Sequence, residues 1–345
     1  MILASTIAVL LWLSMIIYAI FGGADFGAGF WDGLAFGSRG REQRRLIRAA
    51  IGPVWEANNV WLTYLIVGLF NAFPFVTQVL VTALFIPITL ILIGIVMRGA
   101  SFAFRSQILY ATALRQVWRQ TFDLASFISP FLFGASAAAV ASGSLHIVAG
   151  RIPVGLIRAW LTPFAIVVGL MGVALCATLA AIFLTVEAQI VNSPDLMRAF
   201  RLRALVAGAV TACLGLAGLL LAPTEAPILW RGMLDHALWA VAITMLLGIA
   251  TGAALWFWHF RLARALVALE TGALFGTWGL SQLPYLIPPD LTISNTASPP
   301  ITLLALLVVG LIGMMLLIPA LWFLFFVFKG ENFVPRIHGK EIEHL

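Results

Sequence analysis

Acidic side chains within apolar segments are the residues of this sequence best suited to chemistry. Asp25 follows the apolar run 2–22, and it lies seven residues after Tyr18 and eleven after Ser14. At about 100° per residue, these three side chains share one face of a helix. Ionisable groups in membrane helices usually face the bundle interior or water. Asp25 is therefore a candidate for proton transfer, the alternative being an aspartate at the membrane surface, where charge costs little.

A second polar stripe begins at Glu56. Pro53 suits the first turn of a helix, and Glu56, Asn59 and Thr63 follow the spacing i, i+3 and i+7, which places them on one face. A glutamate that caps the helix and gains from its dipole is the alternative. Two adjacent asparagines in an apolar helix favour a functional role. The supporting residues of this motif are Trp55, Asn58, Asn59 and Trp61.

Two further charges map to the same end of the predicted helices. Arg98 is either a basic anchor at the membrane surface or the counter-charge of Asp25 or Glu56. Asp123 begins a helix, where it is either a partner of the helix dipole or a functional acid. Acids gathered at one membrane face, with polar stripes running inward, are what a proton path needs, because hydroxyls, carboxylates and water can pass protons.

Glu270 lies deep in a later apolar segment. Thr277 and Ser281 follow it by seven and eleven residues, so the three again share one helix face. Glu270 lies too deep in the segment for its carboxylate to reach back to the membrane surface. We therefore include Glu270 as a further candidate for the proton path.

The histidines are poorly placed to bind a haem or a metal ion. Such a site favours histidine in the middle of a span, together with a second ligand. Every histidine lies near the end of a predicted span or in the C-terminal tail, and we expect this chain to bind no haem or metal by itself. The histidines are His146, His236, His259, His338 and His344.

The composition indicates a polytopic membrane protein. Of the 345 residues, 62% are hydrophobic and only 10% are charged, whereas soluble domains carry about 25% charged residues. This excludes a soluble enzyme and a disordered chain, and two cysteines exclude a disulfide scaffold. The basic residues are scattered between apolar runs, so the sequence predicts no nucleic-acid partner. A single integral membrane domain over residues 1–345 is expected.

The apolar segments predict an all-α fold with nine transmembrane helices. Each segment approaches or exceeds the roughly 20 residues that span the hydrocarbon, and none alternates as barrel strands do. No basic residue precedes the first segment, so we expect no cleavable signal peptide. The predicted spans are 2–22, 51–72, 76–97, 121–141, 160–186, 204–222, 236–258, 265–287 and 301–328.

The distribution of basic residues predicts the orientation. With nine spans, all but three of the 20 lysines and arginines fall in the C-terminal tail and the connections on its side of the membrane. Cytoplasmic loops carry this excess. The N-terminus is therefore expected outside and the C-terminus in the cytoplasm.

Four motifs together resemble subunit II of the cytochrome bd-type quinol oxidases. They are residues 22–27, 52–61, 98–105 and the segment around Asp123. The similarity is dense over residues 1–130, and beyond that it consists mainly of span count, length and residues 278–284. The segment Trp55-Glu56-Ala57-Asn58 resembles the cyanide-insensitive branch, whereas many members carry aspartate in place of Glu56.

The resemblance implies a role in a larger respiratory enzyme. Complexes of this family oxidise quinol and reduce dioxygen to water in the bacterial inner membrane. Subunit I would hold two b-type haems and one d-type haem, and subunit II would be haem-free, with two four-helix bundles plus one extra helix. Subunit II would support assembly and a cytoplasmic proton path, with Asp25 and Glu56 as its first carboxylates and Arg98 balancing their charge. Some members add a small single-helix subunit or a structural quinone, and lipids surround the complex.

Two other classes of membrane protein fit the composition. A proton-coupled secondary transporter would carry intramembrane acids, but such folds often show internal repeats and sites at the midplane, and neither is evident in this sequence. A structural scaffold would need no proton path. Reconstitution of solute transport by the chain alone would distinguish the transporter from the oxidase subunit.

Overall fold

The computed structural model describes residues 1–37, 39–107, 112–145, 155 and 157–329. Within these ranges it describes the backbone alone for residues 51–57, 102–103, 105–107, 112–115 and 324–329. The described part is almost entirely helical, which confirms the all-α prediction. The long helices lie at the positions of the predicted apolar segments, except that the predicted span 76–97 is divided at Leu84 between a helix that ends at Ala83 and one that begins at Phe85.

Eleven of the twelve α-helices lie within or beside the apolar segments, and one is a single short turn. The helices are α1 (Ile2–Gly33), α2 (Gly40–Ala72), α3 (Pro74–Ala83), α4 (Phe85–Gln107), α5 (Thr112–Ala141), α6 (Pro163–Ile190), α7 (Pro194–Glu225), α8 (Pro227–Gly232), α9 (Leu238–Trp256), α10 (Phe260–Gln282), α11 (Ile293–Thr296) and α12 (Pro300–Lys329). A π-helical turn, Met233–Ala237, joins α8 to α9.

The described helices make the chain a multi-pass membrane protein. Six of them, counting α8 to α9 as one, are long and apolar enough to cross a membrane. A seventh span results if the bent pair Asn58–Ala72 and Pro74–Ala83, which turns by 114°, is counted as one. The apolar helix Phe85–Ser101 is shorter. Helix α10 is less apolar and carries three charged residues, Arg261, Arg264 and Glu270. The count of nine spans stays a prediction.

Several helix ends differ from the predicted ones. Helix α1 continues eleven residues past the predicted end, so Asp25 lies within the helix and not at its end. Near the other terminus, the predicted span 265–287 is wrong at its C-terminal end, because α10 ends at Gln282. Pro284 lacks the N–H that a helix requires. Strand β1 (Tyr285–Ile287) follows and pairs antiparallel with β2 (Leu291–Thr292).

Helix α1 lies at the centre of the fold because its glycines allow close contact. It packs against α2, α5, α6, α10 and α12. A Cβ added at Gly27 would overlap the backbone carbonyl oxygen of Cys176 in α6, and one added at Gly29 would overlap the Ser126 hydroxyl in α5. Small residues permit such approach between membrane helices. The glycines therefore fix the distance from α1 to both neighbours.

Two apolar cores flank the middle of α1. Around its C-terminal half, Trp31 packs with Ile47 and Phe200, and the Trp31 indole donates a 2.8 Å hydrogen bond to the carbonyl oxygen of Ala177. Around its N-terminal end, Ile7 and Phe73 belong to a second core that includes the β-hairpin. Ser14 and Tyr18 of α1 lie between the residues that it contributes to these two cores.

We expect Gly27→Ala to destabilise the protein, because its Cβ would force α1 and α6 apart. Overpacking of this kind costs about 1–3 kcal/mol. The melting temperature of the purified protein in detergent should fall by several degrees. Gly252→Ala is the matched control, because a Cβ there meets nothing within 4 Å. Equal melting temperatures for the two variants would contradict the proposed packing.

Candidate functional site

A buried ion pair joins α1 to α4. Asp25 is 1% exposed and Arg98 is 3% exposed. The Arg98 guanidinium donates through Nη1 to Asp25 Oδ2 and through Nη2 to Oδ1, the second at 2.8 Å. Nη2 also donates to the backbone carbonyl oxygen of Asp25. Such bidentate, charge-assisted contacts fix the geometry of both groups.

Arg98 is held from its other sides by α5 and by two aromatic rings. Its Nε donates a 3.0 Å hydrogen bond to Ser126 Oγ, and Ser126 Oγ donates to the carbonyl oxygen of Phe122 at 2.7 Å. The guanidinium carbon lies 4.6 Å from the ring centre of Phe26 and 4.7 Å from that of Phe122. Aromatic faces attract a cation. Arg98 therefore keeps several contacts that do not depend on the Asp25 carboxylate.

The energetics of this pair favour a functional role over a purely stabilising one. Apolar residues of similar volume often replace a buried ion pair without loss of stability, but removing one partner costs about 3–5 kcal/mol. Ser14 and Tyr18, which the helical spacing places on the face of Asp25, are also buried. A charge pair at this depth, joined to hydroxyl-bearing side chains, is a combination that a proton path can use.

A small cavity of about 10 Å³ lies beside the ion pair, which is room for about one water molecule. Asn58 of α2 is 3% exposed, and its Oδ1 has no hydrogen-bond partner in the described part of the chain. An unpaired buried acceptor costs about 1–3 kcal/mol. The lining residues are Tyr18, Asp25, Phe26, Asn58, Asn59, Ile95 and Arg98.

The motif of α2 is only partly described. The side chains of Trp55 and Glu56 lie outside the described residues. Asn59 reaches the cavity, but Thr63 is exposed and donates to the carbonyl oxygen of Asn59. Trp61 is half-buried, and its indole Nε1 has no partner among the described residues.

Asp123 lies near the ion pair but lines a different space. A Cβ added at Gly33 of α1 would be 3.4 Å from the Asp123 carboxyl carbon, so this acid packs beside the end of α1. It borders an open groove on the surface between α1 and α5. The groove is lined by Phe30, Gly33, Leu34, Gln120, Asp123, Leu124 and Phe127.

Glu270 belongs to the contact between α9 and α10. It is half-buried and approaches Gly248, where an added Cβ would be 2.9 Å from its Oε1. Two helical turns along, the hydroxyl oxygens of Thr277 and Thr244 are hydrogen-bonded at 3.2 Å. Glu270 does not line the described cavity beside Asp25.

Sequence patterns missed the residues that immobilise Arg98. Ser126 and Phe122 were not candidates, although their spacing of four residues places them on one helix face beside Asp123. Phe26 was not recognised either, because an aromatic residue next to Asp25 resembles ordinary packing. The burial of Asn58 depends on the rotation of α2, which the sequence does not fix.

The described histidines do not fit a buried haem. His236 and His259 are both exposed and lie near helix ends. Over the described ranges, no group of three histidine, cysteine, aspartate or glutamate residues is arranged to hold a metal ion. His146, His338 and His344 lie outside the described residues. No reaction step through a haem follows from the described side chains of this chain.

Comparison with known proteins identifies relatives along almost the whole chain. The family model for cytochrome bd terminal oxidase subunit II matches residues 3–328. A Bacillus subtilis protein assigned as a cytochrome bd menaquinol oxidase subunit II is 26% identical over 334 residues, which is 94% of each chain. Subunit 2 of the cytochrome bd-I ubiquinol oxidase of Escherichia coli K12 is 28% identical over 205 residues, covering 58% of this chain and 52% of that protein.

A solved structure supports the same fold. A chain of the bd oxidase from Geobacillus thermodenitrificans superposes with a TM-score of 0.74 at 24% identity, covering 95% of this chain and 99% of the other. At this identity the structural match concerns the fold alone. The family match, which spans nearly all residues, decides the assignment: the chain belongs to the cytochrome bd terminal oxidase subunit II family.

Proposed function

We propose that this chain is the haem-free subunit II of a quinol-oxidising terminal oxidase and contributes a proton path from the cytoplasm. Its family makes it a subunit of a quinol oxidase complex with a subunit I partner. The observation that carries the proton path is the buried Asp25–Arg98 pair beside a polar cavity. Reduction of dioxygen to water consumes one proton for each electron, so the complex needs such a path.

The chemistry at the pair depends on the different ways in which its two partners are held. Arg98 compensates the charge of the Asp25 carboxylate, which allows a charged group to lie away from water. A proton that reaches the carboxylate from the cavity would neutralise Asp25 and weaken its bidentate contact with Arg98. Ser126 and the two aromatic rings would still hold Arg98. The carboxylate can then exchange its proton while the cation stays in place.

The other acids occupy distinct positions in the proposed path. The predicted topology places Glu56 at the same cytoplasmic end of the helices as Asp25, and both carboxylates would take up protons there. Asp123 borders the groove between α1 and α5, which offers a second approach from the same side. Glu270 lies in the α9–α10 pair, and we keep it as a separate candidate.

The remaining features of the proposal concern architecture and partners. We propose nine spans, arranged as two four-helix bundles plus one helix, which together form one domain over residues 1–345. This domain would lie in the bacterial inner membrane. The asymmetry of basic residues supports an outer N-terminus and a cytoplasmic C-terminus. Subunit I would bind two b-type haems, haem d and the substrate quinol. The present chain would support its assembly, and a small single-helix subunit, lipids and a structural quinone are further proposed partners.

The proton path is tested by removing both charges of the buried pair together. Asp25→Asn alone leaves Arg98 as an unpaired buried charge, which would destabilise the protein. The double variant Asp25→Asn/Arg98→Gln removes both charges, so a loss of activity can be separated from a loss of folding. In the purified complex with normal haem absorbance, we expect quinol-dependent oxygen consumption to fall about 100-fold, a typical loss for a missing proton-transfer group.

The matched control is the exposed pair Arg39–Asp195, joined at 2.9 Å. Neutralising this pair with Arg39→Gln/Asp195→Asn should leave oxygen consumption unchanged, because exposed ion pairs contribute little. Wild-type oxygen consumption by Asp25→Asn/Arg98→Gln, at full haem content, would show that Asp25 and Arg98 serve the structure alone.

The orientation is tested by cysteine labelling in intact cells, in a background with Cys213→Ser. A membrane-impermeant maleimide should label Asp290→Cys, which lies in the predicted outer connection. Arg198→Cys lies in a predicted cytoplasmic connection and should react only after permeabilisation. Both residues are exposed. The opposite labelling pattern would overturn the proposed topology.

A further inference from the structure

Asn58 lines the cavity, and its buried amide oxygen has no hydrogen-bond partner among the residues that the structure describes. Its side chain fits against α1 because position 22 is glycine: a Cβ there would be 3.0 Å from Asn58 Nδ2 and 3.1 Å from Oδ1. The helix contact therefore leaves room for a polar group in a buried position. A leucine of similar shape would fill this position without burying an unpaired acceptor, so packing alone does not account for the asparagine.

The chemistry of the cavity selects its occupant. A buried water molecule needs two to four polar partners and a space of at least about 10 Å³. The cavity has about that volume. Four of its lining residues carry groups that can hydrogen-bond to water: Asn58, Asp25, Arg98 and Tyr18. Arg98 disfavours a cation and Asp25 disfavours an anion. A neutral molecule that both donates and accepts hydrogen bonds satisfies all of these groups.

We propose that Asn58 is a positioning residue that holds a water molecule against the Asp25–Arg98 pair, as the last relay before the carboxylate. The water would accept or donate at the Asn58 amide and hydrogen-bond to Asp25. A proton would pass from this water to the carboxylate oxygen, and the water would regain a proton from the cytoplasmic side. This inference rests on the proposed proton path, and it adds the residue that orders the relay.

The test compares Asn58→Leu with Asn58→Ser in the complete oxidase complex. Leucine keeps the shape and removes both hydrogen-bonding groups, whereas serine keeps a hydroxyl and leaves room for water. Asn71→Leu is the matched control, because Asn71 lies in the same helix and is exposed. Among the described contacts, its side chain donates only to the carbonyl oxygen of Val67. Each variant is measured at normal haem absorbance.

Two readouts separate the relay from a structural role. High-resolution cryo-electron microscopy should show a water within hydrogen-bonding distance of Asn58 and Asp25 in the wild type, and no water in Asn58→Leu. Oxygen consumption by Asn58→Leu should fall about tenfold, which is less than the roughly 100-fold loss expected when a proton-transfer group itself is missing. The ratio of its rates in H₂O and D₂O should be larger than in the wild type. Asn58→Ser should keep the water and most of the activity, and Asn71→Leu should match the wild type.

The outcomes distinguish this inference from the proposed function. No water at Asn58 in the wild type would overturn the relay, even if Asp25→Asn/Arg98→Gln loses activity and the proton path stands. A water that disappears in Asn58→Leu without any change in oxygen consumption would also overturn it. Full activity of Asp25→Asn/Arg98→Gln would instead reject the proton path itself.

Discussion

The bidentate contact between Asp25 and Arg98 is the constraint on which the arrangement of the first helices depends. An unpaired charge within a membrane protein is costly, so α1 and α4 must bring these two groups together. The hydroxyl of Ser126 on α5 completes the hydrogen bonding of Arg98. Gly27 and Gly29 allow α1 to approach α6 and α5 closely enough for this geometry. The glycine motif and the charged pair are thus two parts of one packing solution.

The surroundings of the Asp25–Arg98 pair suit proton exchange better than a role in stabilising the fold alone. Ordinary apolar packing would stabilise this position at least as well as a buried ion pair. The structure instead gathers a carboxylate, a guanidinium and an asparagine amide around a space the size of a water molecule. Arg98 also has contacts on α1 and α5 that do not involve the Asp25 carboxylate. This asymmetry lets one partner of the pair change its charge while the other stays fixed.

Much of the site could be predicted from the sequence, because helical spacing places Ser14, Tyr18 and Asp25 on one face. The length of α1 could not be predicted, because each glycine destabilises a helix by about 1 kcal/mol relative to alanine. Contacts with α5 and α6 overcome that penalty, and such contacts are not visible in one sequence. The same limit applies to α2, where its rotation buries Asn58 and exposes Thr63. Residues that act through packing, such as Phe122, show no local signal beyond their spacing along the helix.

The most direct measurement is the infrared difference spectrum of the complete oxidase between its oxidised and reduced states. Proton uptake by Asp25 predicts a carboxyl stretching band that shifts in D₂O and is absent from Asp25→Asn/Arg98→Gln at normal haem content. The same carboxyl bands in the wild type and this double variant would contradict protonation of Asp25. In that case the buried pair would hold α1 and α4 together without carrying protons.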